Sequence, residues 1–293
     1  MYALKIKDLL EGREDELGLA HIAGKAGLVR EITHVHPQRP GENDTFPDEI
    51  LPENILIITP EDISKHLVAS PATQEKFCQA IISSRIPCVA LSKTIRPPEF
   101  LLSFSESRSV PVISSIYDEF LLESRLTGIL RERIENIVTI HGVLLNVYGL
   151  GLIITGDSGV GKTECAVRLV AKGHMWIADD FIEIEKRDGT VLWGRAYGAS
   201  RGLLEKDGRG IVSAREMFGE ERILEETKVS LMVQLERTHD VTGETGRFSM
   251  DEPHEIMGVK IPYLRIHVSS NDDFPDRQID ESVRFFVERG GAV

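Results

Sequence analysis

The stretch LIITGDSGVGKTE, residues 152–164, runs from an apolar segment into a glycine-rich loop and ends on Lys162, Thr163 and Glu164. It fits the phosphate-loop pattern G-x-x-x-x-G-K-[ST] at Gly156, Gly161, Lys162 and Thr163. The flanks supply the context that pattern needs. Leu152 to Thr155 reads as a buried strand, and Thr163 to Lys172 as a helix with Cys165, Ala166, Leu169 and Val170 on one side and Gly173 as its stop. Glycines let successive backbone N–H groups turn inward, and a helix N-terminus adds positive potential, so Gly156, Asp157, Ser158, Gly159, Val160, Gly161, Lys162 and Thr163 form a candidate polyphosphate cradle. In such a loop the lysine reaches the β- and γ-phosphates and the hydroxyl of Thr163 ligates Mg²⁺. A nucleotide is therefore expected, with the phosphoryl acceptor still open.

Composition narrows the setting. A chain of 293 residues with 41% hydrophobic side chains suggests two domains with real cores. No 18-residue apolar run occurs, and the opening MYALKIKDLLEG is too charged for a signal peptide, so a cytoplasmic protein is expected. Cys78, Cys88 and Cys165 are widely spaced and read as small hydrophobes rather than as disulfide or zinc ligands. A formal charge of −13 without a basic cluster argues against non-specific nucleic-acid binding.

The first 130 residues alternate apolar runs, ILIIT (55–59) and IPCVALS (86–92), with helical patterns such as ATQEKFCQAII (72–82). That alternation predicts a small α/β domain over 1–130, followed by a second domain over 131–293, with the boundary inside the connecting helix SRLTGILRERIEN (124–136). His34 and His36 lie two apart but have no acidic or cysteine partner at ligand spacing, and a turn entering Pro37 and Pro40 accounts for them.

Upstream of the loop, Tyr148-Gly149-Leu150-Gly151 looks like a hairpin turn. Centred on Gly149-Leu150, it sets His141 opposite Ser158, beside the phosphates. Downstream, HMWIADDFIEI reads as a strand carrying Asp179 and Asp180, of which at most one faces the nucleotide unless the strand breaks there. A carboxylate at that place suits the task of accepting a proton from an attacking hydroxyl. The segment YGASRGLLEKDGRG (197–210), polar and glycine-rich, reads as a mobile loop over the site.

These pieces, in this order, resemble HPr kinase/phosphorylase, the bifunctional serine kinase of the bacterial sugar-phosphotransfer carrier HPr. The resemblance rests on His141-Gly142 before a hairpin, GDSGVGKTE, ADDFIEI, and Glu205 followed by Gly208, Gly210 and Ile211. It extends into the N-terminal half through IKDLLEG, GLVREITHVHPQRPG and SRIPCVALSKTIRPPEFLLSFSESRSVPVI. It implies an active-site histidine at His141, the loop lysine at Lys162 and Mg²⁺ ligands at Thr163 and Glu205. Asp180 would act as base in phosphorylation and acid in phosphorolysis, with a catalytic arginine at Arg247. It also implies ATP as donor, HPr or an HPr-like carrier as partner, inorganic phosphate in the reverse reaction and a homohexamer. The implied fold is α/β in two domains, the N-terminal one like a module of murein-precursor ligases and the C-terminal one a phosphate-loop domain related to phosphoenolpyruvate carboxykinase. The absence of N-K-x-D also favours ATP over GTP.

Two segments depart from the family pattern. After Glu205 the chain reads Lys206-Asp207-Gly208-Arg209-Gly210, which moves an arginine by two positions. Where the family carries P-V-R-P-G-R-N, tied to phosphorolysis, this chain reads HVSSNDDF (267–274), replacing two arginines and bringing Asp272 and Asp273. Carboxylates there would repel inorganic phosphate, so the kinase direction is expected to survive better than phosphorolysis. A small-molecule kinase and a non-catalytic nucleotide sensor are the competing readings. A base beside an intact phosphate loop favours chemistry over sensing, because binding alone has no use for one.

Overall fold

The computed structural model describes residues 3–11, 18–40, 50–68, 70–94, 96–198, 202–206, 210–238, 248–269 and 275–288. The chain divides into two α/β units, Met1–Glu135 and Asn136–Val293. No described helix is long and apolar enough to cross a membrane.

In the first unit, β1 (Leu4–Lys5) leads into α1 (Ile6–Leu10), and β2 (Leu19–Ala23) is followed by β3 (Glu31–Ile32), which pairs with β1. Then come β4 (Leu56–Ile58), α2 (Pro71–Ser83), β5 (Val89–Leu91), α3 (Glu99–Arg108), β6 (Val112–Ser115) and α4 (Glu119–Leu130). The main sheet runs β2-β6-β5-β4, with β4, β5 and β6 parallel. Alternate residues of these strands enter different cores. Cys88, Ala90 and Ile113 pack with Leu122 and Leu126 of α4, whereas Val89, Leu91 and Val112 pack with Phe77 and Ile81 of α2. A parallel strand buried on both faces must be apolar throughout, which is why ILII and VAL carry no alternation. The helices start on side-chain caps: Ser70 Oγ accepts from the Thr73 N–H, and Asp118 Oδ1 accepts from that of Leu121.

The second unit begins with β7 (Ile137–His141), β8 (Val143–Val147) and β9 (Leu150–Gly156), then α5 (Lys162–Ala171), β10 (Met175–Ala178), β11 (Phe181–Arg187) and β12 (Val191–Ala196). A hairpin of β13 (Leu203–Lys206) and β14 (Gly210–Ser213) precedes the long β15 (Glu226–Thr238). After it come β16 (Phe248–Met250), β17 (His254–Ile256), β18 (Val259–Ile261), β19 (Tyr263–Ser269) and the C-terminal α6 (Asp276–Glu288). The sheet order is β10-β8-β9-β15-β12-β11-β7, with β19 also pairing β15. The first residues of β15 pair antiparallel with β12, and its later ones lie parallel to β9 and β19. The carboxyl ends of β9, β15 and β19 therefore emerge together, the place where an open α/β sheet presents its ligand site.

The structure corrects the register read from sequence. Tyr148 and Gly149 both have positive φ, 54° and 86°, and Val147 pairs with Leu150. The turn is thus a two-residue one centred on Tyr148-Gly149 rather than on Gly149-Leu150, the arrangement whose twist matches the flanking strands. The chain also leaves the pairing at Gly142, so His141 belongs to β7 and lies opposite Phe181, not opposite Ser158. Gly142 permits that crossing, since a Cβ there would stand 2.5 Å from the Ile154 carbonyl oxygen. The expected loop over 197–210 is also corrected in part. Leu203 to Lys206 pairs with Gly210 to Ser213, and buried Leu204 anchors the hairpin in the core shared with α5.

The tip of the β8–β9 hairpin docks α6. Tyr148 OH donates to Asp280 Oδ1 at 2.8 Å, His174 Nε2 lies 3.2 Å from the same oxygen, and Arg284 donates to the Tyr148 hydroxyl at 2.7 Å.

Candidate active site

β9 delivers the loop and α5 receives it. Gly156, Gly159 and Gly161 have φ of 145°, 75° and 99°, which side chains with a Cβ rarely adopt. At Gly156 a Cβ would also stand 2.5 Å from the Leu235 carbonyl oxygen, so β9 and β15 can lie this close only with glycine there. Val160 is buried and pins the loop from below, while Asp157, Ser158 and Gly159 are exposed above. Helix α5 starts from Gly161 with no side-chain cap, leaving its first N–H groups for another acceptor. The Lys162 ammonium folds back over the loop, donating to the carbonyls of Gly156 at 2.8 Å and Asp157 at 3.0 Å. An uncapped N-terminus beside a cation held on two loop carbonyls fits the phosphates of a nucleotide.

The two aspartates part company because the strand breaks between them. β10 ends at Ala178 and β11 begins at Phe181, and Asp180 takes the left-handed conformation at φ 64°, which Asp tolerates better than most residues. Asp179 is buried at 3% exposure and accepts from Thr163 Oγ1 at 3.1 Å. A hydroxyl and a carboxylate held together in this way suit Mg²⁺, which takes one or two protein oxygens and completes its shell with phosphate and water. Among the described residues no group of three or more His, Cys, Asp and Glu forms a closed metal cage. Asp180 has different neighbours. Its carboxylate lies 3.9 Å from His141 Nε2 with both side chains about half exposed, and its carbonyl accepts from the Gly142 N–H at 3.0 Å.

The sheet under Asp180 is braced by charge. Arg195 bridges Glu183 and Glu185 at 3.1 and 3.0 Å, and Arg187 bridges Glu185 and Glu226 at 2.8 and 2.7 Å. Hydrogen bonds from Arg187 hold the carboxyls of Glu185 and Glu226 below the usual carboxylate range.

The structure thus gathers Lys162, Thr163 and Asp179 at the loop, and His141 with Asp180 one residue further along. Glu205 lies in β13 opposite Ile211. Arg247, Asp207, Gly208, Arg209, Asp272 and Asp273 lie outside the described residues. Sequence reading missed Arg237, whose guanidinium donates to the Gly159 carbonyl at the loop tip. Its signal was a cation at the carboxyl end of the central strand, where the apolar alternation stops. A polar group beside it was missed as well. Thr155 Oγ1 donates to Gln234 Oε1 at 2.8 Å, Glu236 lies 3.6 Å from Arg265, and Arg265 reaches Asp251 at 3.1 Å.

Comparison with known proteins follows the two units. Residues 4–130 match the family model of the HPr Serine kinase N terminus, and residues 132–281 that of the HPr Serine kinase C-terminal domain. An HPr kinase/phosphorylase of Geobacillus thermodenitrificans is 33% identical over 270 residues, 92% of this chain and 86% of that protein. One of Geobacter sulfurreducens is 31% identical over 268 residues, 91% of this chain and 84% of that protein. A solved structure of the Hpr(Ser) kinase/phosphatase from Coxiella burnetii aligns with a TM-score of 0.44 at 22% identity, covering 53% of this chain and 99% of that one.

Proposed function

Because the chain belongs to the HPr serine kinase family, we propose that it is an ATP- and Mg²⁺-dependent kinase that phosphorylates a serine of HPr or an HPr-like carrier. The observation that carries this reading is the split aspartate pair. One carboxylate is bound to the loop threonine, and the next is half exposed beside His141. A nucleotide sensor has use for the first and none for the second.

In this mechanism the loop amides and Lys162 hold the β- and γ-phosphates; Thr163 with Asp179 would hold Mg²⁺, and the family resemblance adds Glu205 as a further ligand. The metal supplies charge neutralisation at the phosphate oxygens. Asp180 accepts the proton of the acceptor serine as its oxygen bonds to the γ-phosphorus and the bond to the bridging oxygen of ADP breaks. His141 lies beside that carboxylate and orients it. Arg247 stabilises charge on the transferring group. In reverse, a phosphate oxygen attacks phosphoserine, Asp180 returns the proton to the leaving serine and pyrophosphate forms. With both family arginines gone and Asp272 and Asp273 nearby in sequence, that direction is the weaker one in this chain. On the same reading the chain is divided at residues 130 and 131, assembles as a homohexamer, works in the cytoplasm and couples carrier phosphorylation to carbon supply. Its C-terminal phosphate-loop domain is related to phosphoenolpyruvate carboxykinase.

Incubating the protein with ATP, Mg²⁺ and HPr, in parallel with small hydroxylic acceptors and with no acceptor, tests the assignment. Serine phosphate on HPr alone supports it. Transfer only to a small acceptor would assign a metabolite kinase, and nucleotide binding without transfer a sensor.

A further inference from the structure

Beside Asp180 the protein exposes aromatic surface. Phe181 is 49% and Tyr197 41% exposed, and their ring centroids lie 6.4 Å apart. The His141 ring stands edge-on to Phe181 at 5.8 Å. Backbone pairing fixes this order, since Phe181 lies opposite His141 across β7 and β11, and the Tyr197 N–H donates to the Phe181 carbonyl at 3.1 Å. The three rings therefore form one row across the ends of three strands, next to the turn that carries Asp180. They are not strays from the core. Ile182, Ile184 and Ala196 fill the interior behind β11 and β12, and alternation turns Phe181 to the opposite face.

The rest of that face has a different character. The register sets Glu183 against Arg195 and Glu185 against Trp193, and the ion pairs of Arg195 and Arg187 run along it. Arg187 also lies over the Trp193 ring at 5.0 Å. The charges cited on this face are thus engaged in ion pairs, and among its described residues the exposed large hydrophobics are Phe181 and Tyr197, where it meets Asp180. Phe and Tyr in such positions are the residues that carry binding energy when a protein partner docks.

We propose that the row His141–Phe181–Tyr197 is the docking surface for the apolar side chains that flank the acceptor serine of the protein substrate. This rests on the serine-kinase reading above and deepens it. An acceptor hydroxyl carried on a protein must come within hydrogen-bond reach of Asp180, and the neighbouring surface that its flanking residues meet is this row. The compensated charges beyond it favour a neutral, apolar contact over an acidic or basic one.

The test compares wild type with the double variant Phe181→Thr, Tyr197→Ser, using HPr as acceptor. KM for HPr should rise about tenfold or more, with nucleotide affinity and kcat at saturating HPr changed less than about threefold. Phe181→Leu, which keeps an apolar side chain on the strand, should retain most of the wild-type KM. As a second measurement, Tyr197→Trp should show a saturable emission change on titration with HPr. An unchanged KM in the double variant, or no emission response, overturns the docking surface while leaving the kinase reading intact. Loss of assembly at an unchanged KM overturns it too, by giving the row to contact between copies of this chain. A wild-type protein that does not phosphorylate HPr removes the kinase reading and the surface with it.

Discussion

Replacing each aspartate of the pair by asparagine should separate stability from catalysis. Asp179 is buried, and its carboxylate accepts the Thr163 hydroxyl at 3.1 Å. A hydrogen bond to a charged group contributes about 1.5–3 kcal/mol and a neutral one about 0.5–1.5, so Asp179→Asn should destabilise the fold by roughly 1–1.5 kcal/mol. For a unit of this size that is a fall in Tm of about 2–6 °C. Asp180 is half exposed and already in a left-handed turn that asparagine also accepts. Asp180→Asn should therefore leave stability within about 0.5 kcal/mol. Loss of the base should nonetheless slow transfer by about 10² to 10⁴, or roughly 3–5 kcal/mol on the barrier. Thermal unfolding and initial rates of HPr phosphorylation, with nucleotide affinity measured separately, read both effects. A larger rate loss in Asp179→Asn than in Asp180→Asn would refute the assignment of the base.

His141→Ala should reduce transfer while leaving Tm nearly unchanged, because the ring is half exposed and 3.9 Å from Asp180; a large Tm drop with normal specific activity would make the histidine structural. Arg237→Ala should weaken nucleotide binding several-fold through a looser loop tip, with partial recovery in Arg237→Lys, as read by nucleotide titration. Burial pushes the Asp280 carboxyl up, but hydrogen bonds from Tyr148 and His174 together with the nearby His174 and Lys172 outweigh it, and the group ends below its ordinary value. A depressed pKa stabilises the fold above the unfolded value near about 4, and that contribution is lost as pH falls through the lower folded value. Asp280→Asn should accordingly lower Tm at pH 7 and flatten its fall on acidification, as seen in thermal melts from pH 7 down to pH 2.

Local chemistry was legible in the sequence; long-range register was not. The loop, its strand and its helix follow from glycine positions and apolar spacing, and the structure has β9 and α5 where those signals put them. The alternation of apolar runs and helical patterns in the first unit likewise gave its α/β character, and the runs are continuous because these strands are buried on both faces. The hairpin was misjudged by one residue because Tyr148 occupies a left-handed position more usual for glycine or asparagine. That small error moved the expected neighbour of His141. Its actual neighbour, Phe181, is set by pairing between β7 and β11, forty residues apart in sequence, and no local pattern encodes that. Strand alternation already implied that at most one of Asp179 and Asp180 faces the nucleotide; the break between β10 and β11 was foreseen only as the exception. The Arg237 contact depends on how β15 runs past the loop, which becomes visible only once the sheet is assembled.

The central claim is that this loop and this aspartate together phosphorylate a protein serine. Its most direct test is the mass and phosphosite of HPr after incubation with Mg²⁺ and ATP, using wild type, Lys162→Ala and Asp180→Asn in parallel. The wild-type protein should place one phosphoryl group on a single HPr serine, Lys162→Ala none, and Asp180→Asn should modify it only slowly. Full phosphorylation by Lys162→Ala, or an unmodified HPr with a wild-type protein that binds ATP, would contradict the claim.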